Sequence, residues 1–482
     1  GTTAVSLVYT FLRRMTRYLD FYIPERYDEG YGVSYKGIDW AHENGFKLII
    51  TLDCGIKANE KVEYARERGI DVIICDHHLP ENDLPKAVAV LDPKREDCFY
   101  PFDDLSGCGV GFKLVQAYAQ RYDIPFETLT PLLDLLVVSI ASDLVTVVGE
   151  NRILAHYGLK QLNSNPREGL LAMIQLSGLE PGHLTIDDIV FKIGPRINAS
   201  GRMQNGKESV ALLIEKDYTT AREIAEQINV YNDQRKDLDK SMTEEANRIV
   251  EDLYQDDEQH SIVLFNEEWH KGVIGIVASR LTEVYYRPAV VLTRTNDLAT
   301  GSARSVSGFD VYKAIESCRD LLENFGGHTY AAGLSMKVEN VPEFRKRFEA
   351  YVEQNILPEQ TSAILNINAQ LDFKDITHRF HHELKRFHPF GPENEKPLFC
   401  TLHVYDYGTS KVVGREQEHI KLELVDNKSN NVMNGIAFGQ SSQARYIKTK
   451  SSFDICYTIE ENTHKRGEIQ LQIEDIRPST EE

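Results

Sequence analysis

The chain has 482 residues, 41% hydrophobic and 27% charged, with a formal net charge of −20. That length supports about two to four domains with sizeable cores, and the composition excludes a disordered or collagen-like chain. The acidity repels nucleic acid on average, so any binding to it requires a local basic groove.

The longest apolar stretch, near 132–141, is too short to span a bilayer and contains Asp134. Seven cysteines are scattered at 54, 75, 98, 108, 318, 400 and 456, with no CxxC pair. This pattern fits a reducing compartment and disfavours both a disulfide framework and structural zinc. No secretory signal is visible, and a cytoplasmic location is expected.

"GTTAVSLVYTFLRRM" opens on a helix pattern, with Val5, Val8, Leu12 and Met15 on one face. A chain rarely starts on the first turn of a buried helix, so residues upstream of Gly1 are expected. From about 30 to 155, strand and helix signals alternate. "KLIITLDCG" (47–55), "DVIICDHH" (71–78) and "AVAVLDP" (87–93) read as buried strands, and "IKANEKVEYARERGI" (56–70) reads as a helix. Strand, helix, strand at this spacing predicts a parallel βαβ unit covered on both faces. The apolar helix "PLLDLLVVSIASDLVTV" (131–147) follows, with Asp143 near its end.

"GPRINASGRM" (194–203) reads as a polar, Gly-rich loop. From 218 to 254, Ile224, Ile228, Tyr231, Leu238, Met242, Ile249 and Leu253 recur at helical spacing. Unbroken, that helix would run roughly 50 Å, either as a core helix or as a connector between domains. A second α/β unit has strands at "SIVLF" (261–265), "RPAVVLTR" (287–294) and "GSARSV" (301–306), with helices over 273–285 and 309–323. It includes the Gly-rich "FGGHTYAAG" (325–333). From about 361 the character turns to β, with period-two strands "KLELV", "SFDICYTI" and "EIQLQI", and "DNKSNN" (426–431) as a turn. Short alternating strands in a segment of this size predict a small barrel or sandwich.

Asp53 and Asp76 each lie just past the C-terminal end of an apolar strand, on the sheet edge where ligand sites form. Asp76, His77 and His78 alone read equally as a polar turn or a metal site. A second strand-end aspartate favours the metal, because neighbouring strands lie about 4.8 Å apart. Carboxylate plus imidazole suits Mn²⁺, Mg²⁺ or Zn²⁺-class ions. Cys54 and Cys75 read as core residues. Asp143 is a carboxylate at a helix C-terminus, where it opposes the dipole, and that local cost hints at a role.

"LDCG", "CDHHLP" and "ASDLVTVVGENR", in this order, resemble the DHH phosphoesterase superfamily. "WHKGVIGIVASRL", "GSARSVSGFDVYKAI" and "FGGHTYAAGLS" resemble its DHH-associated domain. "GPRINASGRM" and "HPFGPENEKPLF" (388–399) narrow the likeness to the RecJ family of single-strand-specific exonucleases. The resemblance covers nearly the whole chain. It implies an α/β fold in four parts: a parallel-sheet DHH catalytic domain over 1–205, connecting helices over 206–258, a smaller DHH-associated substrate-binding domain over 259–355, and an OB-like nucleic-acid-binding barrel over 361–482.

The family opens on an Asp-x-Asp-x-x-Gly metal motif, of which only Gly1 is present here. The resemblance places its two aspartates immediately upstream, so the chain as it stands is expected to hold part of its metal site and to need them for activity. It further implies Asp53, His77 and Asp143 as metal ligands, Asp76 and His78 as catalytic or orienting residues, and two Mn²⁺ or Mg²⁺ ions hydrolysing phosphodiesters. The implied activity is 5′→3′ hydrolysis of single-stranded DNA to 5′-mononucleotides in repair and recombination.

The glycines of "GSARS" and "FGGHT" suggest anion nests that, with Ser302, Arg304, Gly326, Gly327 and His328, would hold a 5′ end. Plain loop glycines are the alternative. Arg196, Asn198 and Arg202 are candidates for the same channel, although a lone arginine reads equally as a solvated charge. Gly272 is expected to open a helix N-terminus near the substrate, with Trp269 and His270 open as packing residues. Phe390, Phe399, Tyr405 and Tyr407 are candidate stacking platforms, with core packing favoured for most. Single-strand-binding protein and a helicase are partners implied by the resemblance, and a monomer is expected. The rival functions are a phosphodiesterase for short oligoribonucleotides or cyclic dinucleotides, and a non-catalytic replication scaffold.

Overall fold

The computed structural model describes residues 1–25, 28–81, 83–253, 259–449, 451–462 and 467–479. They fall into two compact units, Gly1–Asp143 with Tyr157–Ile364, and Leu144–His156 with Leu365–Glu482. The expected end of the connecting segment, at 254–258, lies outside the described residues.

The first unit opens with α1 (Thr2–Leu12), whose buried face is Ala4, Leu7, Val8 and Phe11. This corrects the expected face: Met15 lies beyond the helix and is 42% exposed. The small Thr3 and Ser6 are buried as well, because the helix packs against several neighbours and so turns more than one stripe inward. Next come α2 (Tyr35–Glu43), β1 (Leu48–Leu52), α3 (Asn59–Glu67), β2 (Asp71–Cys75) and β3 (Ala89–Leu91). The three strands form a parallel sheet in the order β1-β2-β3, as their apolar runs predict. All three C-terminal ends therefore share one edge.

α4 (Gly107–Arg121) packs against β1 and β2, and α5 (Leu133–Ser142), buried almost throughout, packs against α1 and α4. Its one acid near the start, Asp134, is 1% exposed and takes Arg167 Nε at 2.9 Å and Nη2 at 2.8 Å. That buried pair ties α5 to the start of α7. The chain continues through α6 (Gly149–Ser164), α7 (Glu168–Leu176) and the short α8 (Ile186–Asp188). A π-helical turn over Ile189–Ile193 then leads into α9 (Gly194–Met203).

α9 corrects the reading of "GPRINASGRM" as a loop. Pro195 sits in the first turn, where its fixed φ suits a helix. Ile197, Ala199 and Ser200 are buried, and a Cβ at Gly194 would lie 2.7 Å from Ser142 Oγ. Tertiary packing outweighs the polar, Gly-rich composition. After α10 (Lys207–Ile214), α11 (Tyr218–Leu253) runs unbroken for 36 residues, about 54 Å.

The rest of this unit comprises β4 (Ile262–Phe265), α12 (Ile274–Tyr285), β5 (Ala289–Thr295), β6 (Leu298–Arg304), α13 (Val311–Glu316), β7 (Leu322–His328), β8 (Ala331–Lys337) and α14 (Val341–Asn355). The sheet order is β4-β5-β6-β8-β7, parallel at β4–β5 and antiparallel elsewhere. The glycines expected in turns lie in strands, which for "GSARSV" agrees with its strand reading and for "FGGHT" corrects the loop. Gly301 lies within β6, and Gly326 and Gly327 lie within β7. At Gly301 a Cβ would meet Leu292 Cδ2 at 2.5 Å, and at Gly327 (φ 154°) it would meet Ala331 O at 2.4 Å. These two glycines allow close sheet packing, which is a different use of the same residue.

The second unit is β-rich: β9 (Ala369–Gln370), α15 (His378–Lys385), β10 (Phe399–Asp406), β11 (Lys411–Val413), β12 (His419–Asp426), β13 (Val432–Ala437), α16 (Ala444–Ile447), β14 (Phe453–Glu461) and β15 (Ile469–Pro478). The pairings β10–β12, β12–β13, β13–β15, β15–β14 and β14–β10 close into a five-stranded barrel. Phe453, Tyr457, Leu422, Leu424 and Ile473 fill its core. Phe399 joins them at 5% exposure, so it packs the core and offers no stacking platform. Tyr407 is 59% exposed. No helix among the described residues is long and apolar enough to cross a membrane.

Candidate metal centre

The centre is built at the C-terminal edge of the parallel sheet. Asp53 follows β1 with φ 63°, a left-handed conformation uncommon for a residue with a side chain but tolerated by aspartate. Its N–H donates to Cys75 O at 2.8 Å, and Asp76 N–H donates to Leu91 O at 3.0 Å. The ladder thus continues one step past the strands and fixes both aspartates side by side.

Asp76 is 1% exposed and saturated with donors. Its Oδ1 takes His77 N–H at 2.8 Å and His78 Nδ1 at 2.6 Å, and its Oδ2 takes Ile56 N–H at 2.9 Å. Burial pushes the Asp76 carboxyl up, but His78 and these N–H groups win and hold it below the ordinary carboxylate range. The same hydrogen bond raises the His78 imidazole.

His77 Nε2 lies 3.1 Å from Asp53 Oδ1 and 3.3 Å from Asp143 Oδ2. None of these approaches has hydrogen-bond geometry, and Asp53 Oδ1 and both ring nitrogens of His77 are buried without a partner. Ligand atoms of Asp53, His77 and His78 converge within 4.8 Å of one another. The Gly1 terminal ammonium lies 2.5 Å from Asp53 Oδ2, so a positive charge already meets this convergence of acceptor atoms; the oxygen-plus-imidazole set fits Mn²⁺ or Mg²⁺. Asp143, the C-cap of α5, is pushed up by burial and by the Asp53 charge. Cys54 and Cys75 flank the edge with thiols pushed by burial up to about 12, consistent with inert core residues.

Three residues here escaped the sequence reading. Gly107, first residue of α4, lies so close to Asp53 that a Cβ would sit 2.0 Å from its Oδ1. Its signal is the run "SGCGVG", which brings a helix N-terminus against a carboxylate. Tyr31 is held between Gly30 (φ 81°) and Gly32 (φ 87°), and its hydroxyl donates to Asp53 O at 3.3 Å. Asp92 ends β3 as Asp53 and Asp76 end their strands. It is 3% exposed, its Oδ2 has no partner, and burial raises it to about 6.

The other expected residues divide. Asn198 and Arg202 line a cavity of about 1110 Å³ whose lining also includes Asp53 and Asp143, whereas Arg196 does not reach it. Arg196 Nε instead donates to Asn229 Oδ1 at 3.0 Å, and Arg202 Nη1 donates to Gly272 O at 3.1 Å. Arg304 Nη1 donates to Ser302 Oγ at 2.8 Å. Gly275, in the first turn of α12, leaves both groups open to that helix end: a Cβ there would lie 3.0 Å from Ser302 Oγ and 3.1 Å from Arg304 Nη2. A guanidinium beside a helix N-terminus is an anion site in the making. Trp269 is a packing residue, 5% exposed, with its indole N–H donated to Glu245 Oε2 at 2.7 Å. His328 reaches the centre directly, its ring stacked on His78 at 5.8 Å and 11°.

Comparison with known proteins follows the same layout. The family model described as the DHH family N-terminal domain matches residues 1–140, the DHHA1 domain model matches 258–354, and the RecJ OB domain model matches 367–475. The single-stranded-DNA-specific exonuclease RecJ of Bacillus subtilis is 36% identical over 99% of this chain, which spans 60% of that protein's length. The Escherichia coli protein of the same name is 31% identical over 98% of this chain and 84% of its own. A crystal structure of Thermus thermophilus RecJ in complex with Mn²⁺ aligns over the whole chain and 68% of that one, with TM-score 0.84 and 25% identity. A structure of exonuclease RecJ bound to manganese aligns over 75% of this chain and 90% of its own, with TM-score 0.63 and 30% identity.

Proposed function

The chain belongs to the RecJ family of single-stranded-DNA-specific exonucleases, and on that premise we propose that it hydrolyses single-stranded DNA from the 5′ end to 5′-mononucleotides, using two Mn²⁺ or Mg²⁺ ions. The observation that carries the reading is the convergence of buried, unpartnered acceptor atoms of Asp53 and His77 at the strand ends. Asp53, His77 and Asp143 would hold the ions, which supply Lewis acidity when bound.

The protein's own part is positioning. Asp76 fixes the direction of His78 by accepting from its Nδ1–H, and in the neutral ring this turns the Nε2 lone pair toward ligand or substrate. Ser302, Arg304 and the α12 N-terminus would seat the terminal phosphate, and His328, stacked on His78, joins that seat to the centre. A terminal phosphate held at fixed reach from the cations selects the first phosphodiester, which makes the enzyme an exonuclease with 5′ polarity. Asn198 and Arg202 would line the path of the strand. Arg196 would act through Asn229, and Gly326 and Gly327 would support His328 as strand residues. The barrel would hold the strand downstream through exposed side chains such as Tyr407.

The closed barrel also argues against the rival substrates, since cyclic dinucleotides and short oligoribonucleotides need no extended path. We take 1–205, 206–258, 259–355 and 361–482 as the working division into functional parts. Single-strand-binding protein and a helicase are the proposed partners, because a single-strand-specific enzyme needs duplex opened. Action as a monomer in cytoplasmic DNA repair and recombination completes the proposal.

The test is incubation with Mn²⁺ and 5′-phosphorylated single-stranded DNA labelled at either end, for the full-length protein and its Asp53→Asn variant. Early release of the 5′ label as mononucleotide, lost in the variant, is the expected result. Release of the 3′ label first, or equal rates in both proteins, overturns the reading. Tight DNA binding without release replaces it with the scaffold function.

A further inference from the structure

Glu29 gathers hydrogen bonds from both sides of its own loop. Its Oε1 accepts from the Tyr22 hydroxyl at 3.0 Å and from Glu25 N–H at 3.0 Å, and its Oε2 accepts from the Ser34 hydroxyl at 2.5 Å. Tyr22 and Ser34 are in turn fixed on α2. Ser34 is the N-cap of that helix, its Oγ accepting from Gly37 N–H at 2.9 Å, and the Tyr22 ring lies 5.5 Å from that of Trp40. A Cβ at Gly37 would lie 3.0 Å from Tyr22 Cδ1, so glycine there lets the ring seat against the helix. Burial pushes the Glu29 carboxyl up, but the Ser34 hydroxyl, the Glu25 N–H and the Tyr22 hydroxyl win and hold it below the ordinary carboxylate range. Burial and the Glu29 carboxylate push the Tyr22 phenol up to about 12, so it stays a donor.

Two residues further on, Tyr31 reaches the strand-end centre. Gly30 (φ 81°) and Gly32 (φ 87°) flank it, and glycines give this stretch of backbone little rigidity of its own. Gly32 passes beside Cys54, where a Cβ would lie 3.6 Å from Cys54 Cβ, and the Tyr31 hydroxyl donates to Asp53 O at 3.3 Å. Asp53 needs such support. Its left-handed backbone (φ 63°) persists only where the surroundings over-determine it. Cys75 O holds its N–H at 2.8 Å, and the Tyr31 hydroxyl holds its carbonyl.

We propose that Glu29 is a positioning residue for the metal centre: it clasps the loop so that the Tyr31 hydroxyl pins the Asp53 carbonyl and thereby aims the Asp53 carboxylate. Glu29 touches neither ion nor substrate and acts through Tyr31. The inference rests on the reading of Asp53 as a metal ligand and is independent of the polarity of DNA cleavage.

The test is Mn²⁺ titration of the full-length protein by calorimetry, without DNA, for wild type, Glu29→Ala, Glu29→Gln, Tyr31→Phe and the Glu29→Ala/Tyr31→Phe double variant. Glu29→Ala and Tyr31→Phe are each expected to bind Mn²⁺ about 3–10-fold more weakly, the range for one lost hydrogen bond. The double variant is expected to bind no more weakly than Glu29→Ala, because both changes break the same chain of contacts. Glu29→Gln keeps one acceptor oxygen in the same volume and is expected to fall between wild type and Glu29→Ala. Tyr31→Phe removes one hydroxyl and leaves the ring, so with native circular dichroism and melting temperature its loss of affinity reports position and not unfolding. Unchanged Mn²⁺ affinity in Tyr31→Phe or in Glu29→Ala overturns the proposal, as does a double variant whose loss is the product of the two single losses. A wild-type protein that binds no Mn²⁺ removes the metal-centre reading and the clasp with it, whereas one that binds Mn²⁺ and leaves DNA intact removes the nuclease reading alone.

Discussion

The Asp76 carboxylate holds His78 by a 2.6 Å contact to its Nδ1 while spending its remaining lone pairs on backbone N–H groups. Every neighbour of Asp76 is a donor. In Asp76→Asn the new NH₂ faces a donor whichever way the amide turns, and His78 loses its orienting acceptor or Ile56 loses its partner. We expect kcat to fall about 10–100-fold and the fold to lose about 1–3 kcal/mol. Steady-state kinetics with a denaturant melt checks both, and an unchanged kcat would remove Asp76 from the mechanism.

Gly107 is required by the space it leaves. A Cβ there would lie 2.0 Å from Asp53 Oδ1 and 2.5 Å from its Cγ, so Gly107→Ala must displace the carboxylate or the start of α4. Misplacement by about 1 Å costs on the order of 100-fold in rate. Mn²⁺ affinity and activity are expected to fall together while the circular dichroism spectrum stays native. Normal metal affinity in this variant would show that the Asp53 position is not critical.

Arg304 and Ser302 make a forked donor set beside the first turn of α12. Arg304→Lys keeps the charge and loses the fork. Hydrogen bonds to a charged group are worth about 1.5–3 kcal/mol, so preference for a 5′-phosphate over a 5′-hydroxyl should fall by about 10–100-fold. The comparison of kcat/KM on the two ends decides it; an unchanged ratio would place the phosphate elsewhere.

Asp92 gives a pH signature with a definite sign. Burial raises its carboxyl from 3.8 to about 6, so the folded state holds the proton more tightly than the unfolded chain. That contribution to stability is complete below pH 4 and is lost as pH rises through 6, reaching about 3 kcal/mol in the metal-free protein. Asn imitates the neutral form. Asp92→Asn should therefore melt higher than wild type at pH 8 in chelator and about equal to it at pH 4.5. A difference independent of pH would show that Asp92 is ionised throughout.

Much of the centre was legible because strand-end chemistry has a one-dimensional signature. "KLIITLDCG" and "DVIICDHH" mark both the strands and the edge they share, and the C-cap position of Asp143 could be read from its helix. What escaped shares one cause: glycine and aspartate signals are ambiguous without packing. Gly107 reads as any helix glycine until Asp53 is found against it, and Asp92 in "VLDP" reads as a turn residue. The glycines of "GSARS" and "FGGHT" suggested nests because sequence does not distinguish a tight turn from a close strand approach. "GPRINASGRM" looked like a loop because its burial against α11 is a long-range fact. The face of α1 was misplaced because a helix packed on several sides has no single stripe to find.

Three neighbouring parallel strands each end on a carboxylate, Asp53, Asp76 and Asp92, and Asp143 looks back at them from α5. Without cations, that edge concentrates negative potential in a partly dry cleft, and a phosphodiester backbone carries the same sign. The protein stripped of its ions therefore repels the strand it is shaped to cut. Bound divalent ions would then govern admission to the cleft as well as reaction inside it, and chelation is expected to abolish capture of a DNA end at this edge before any bond is at stake.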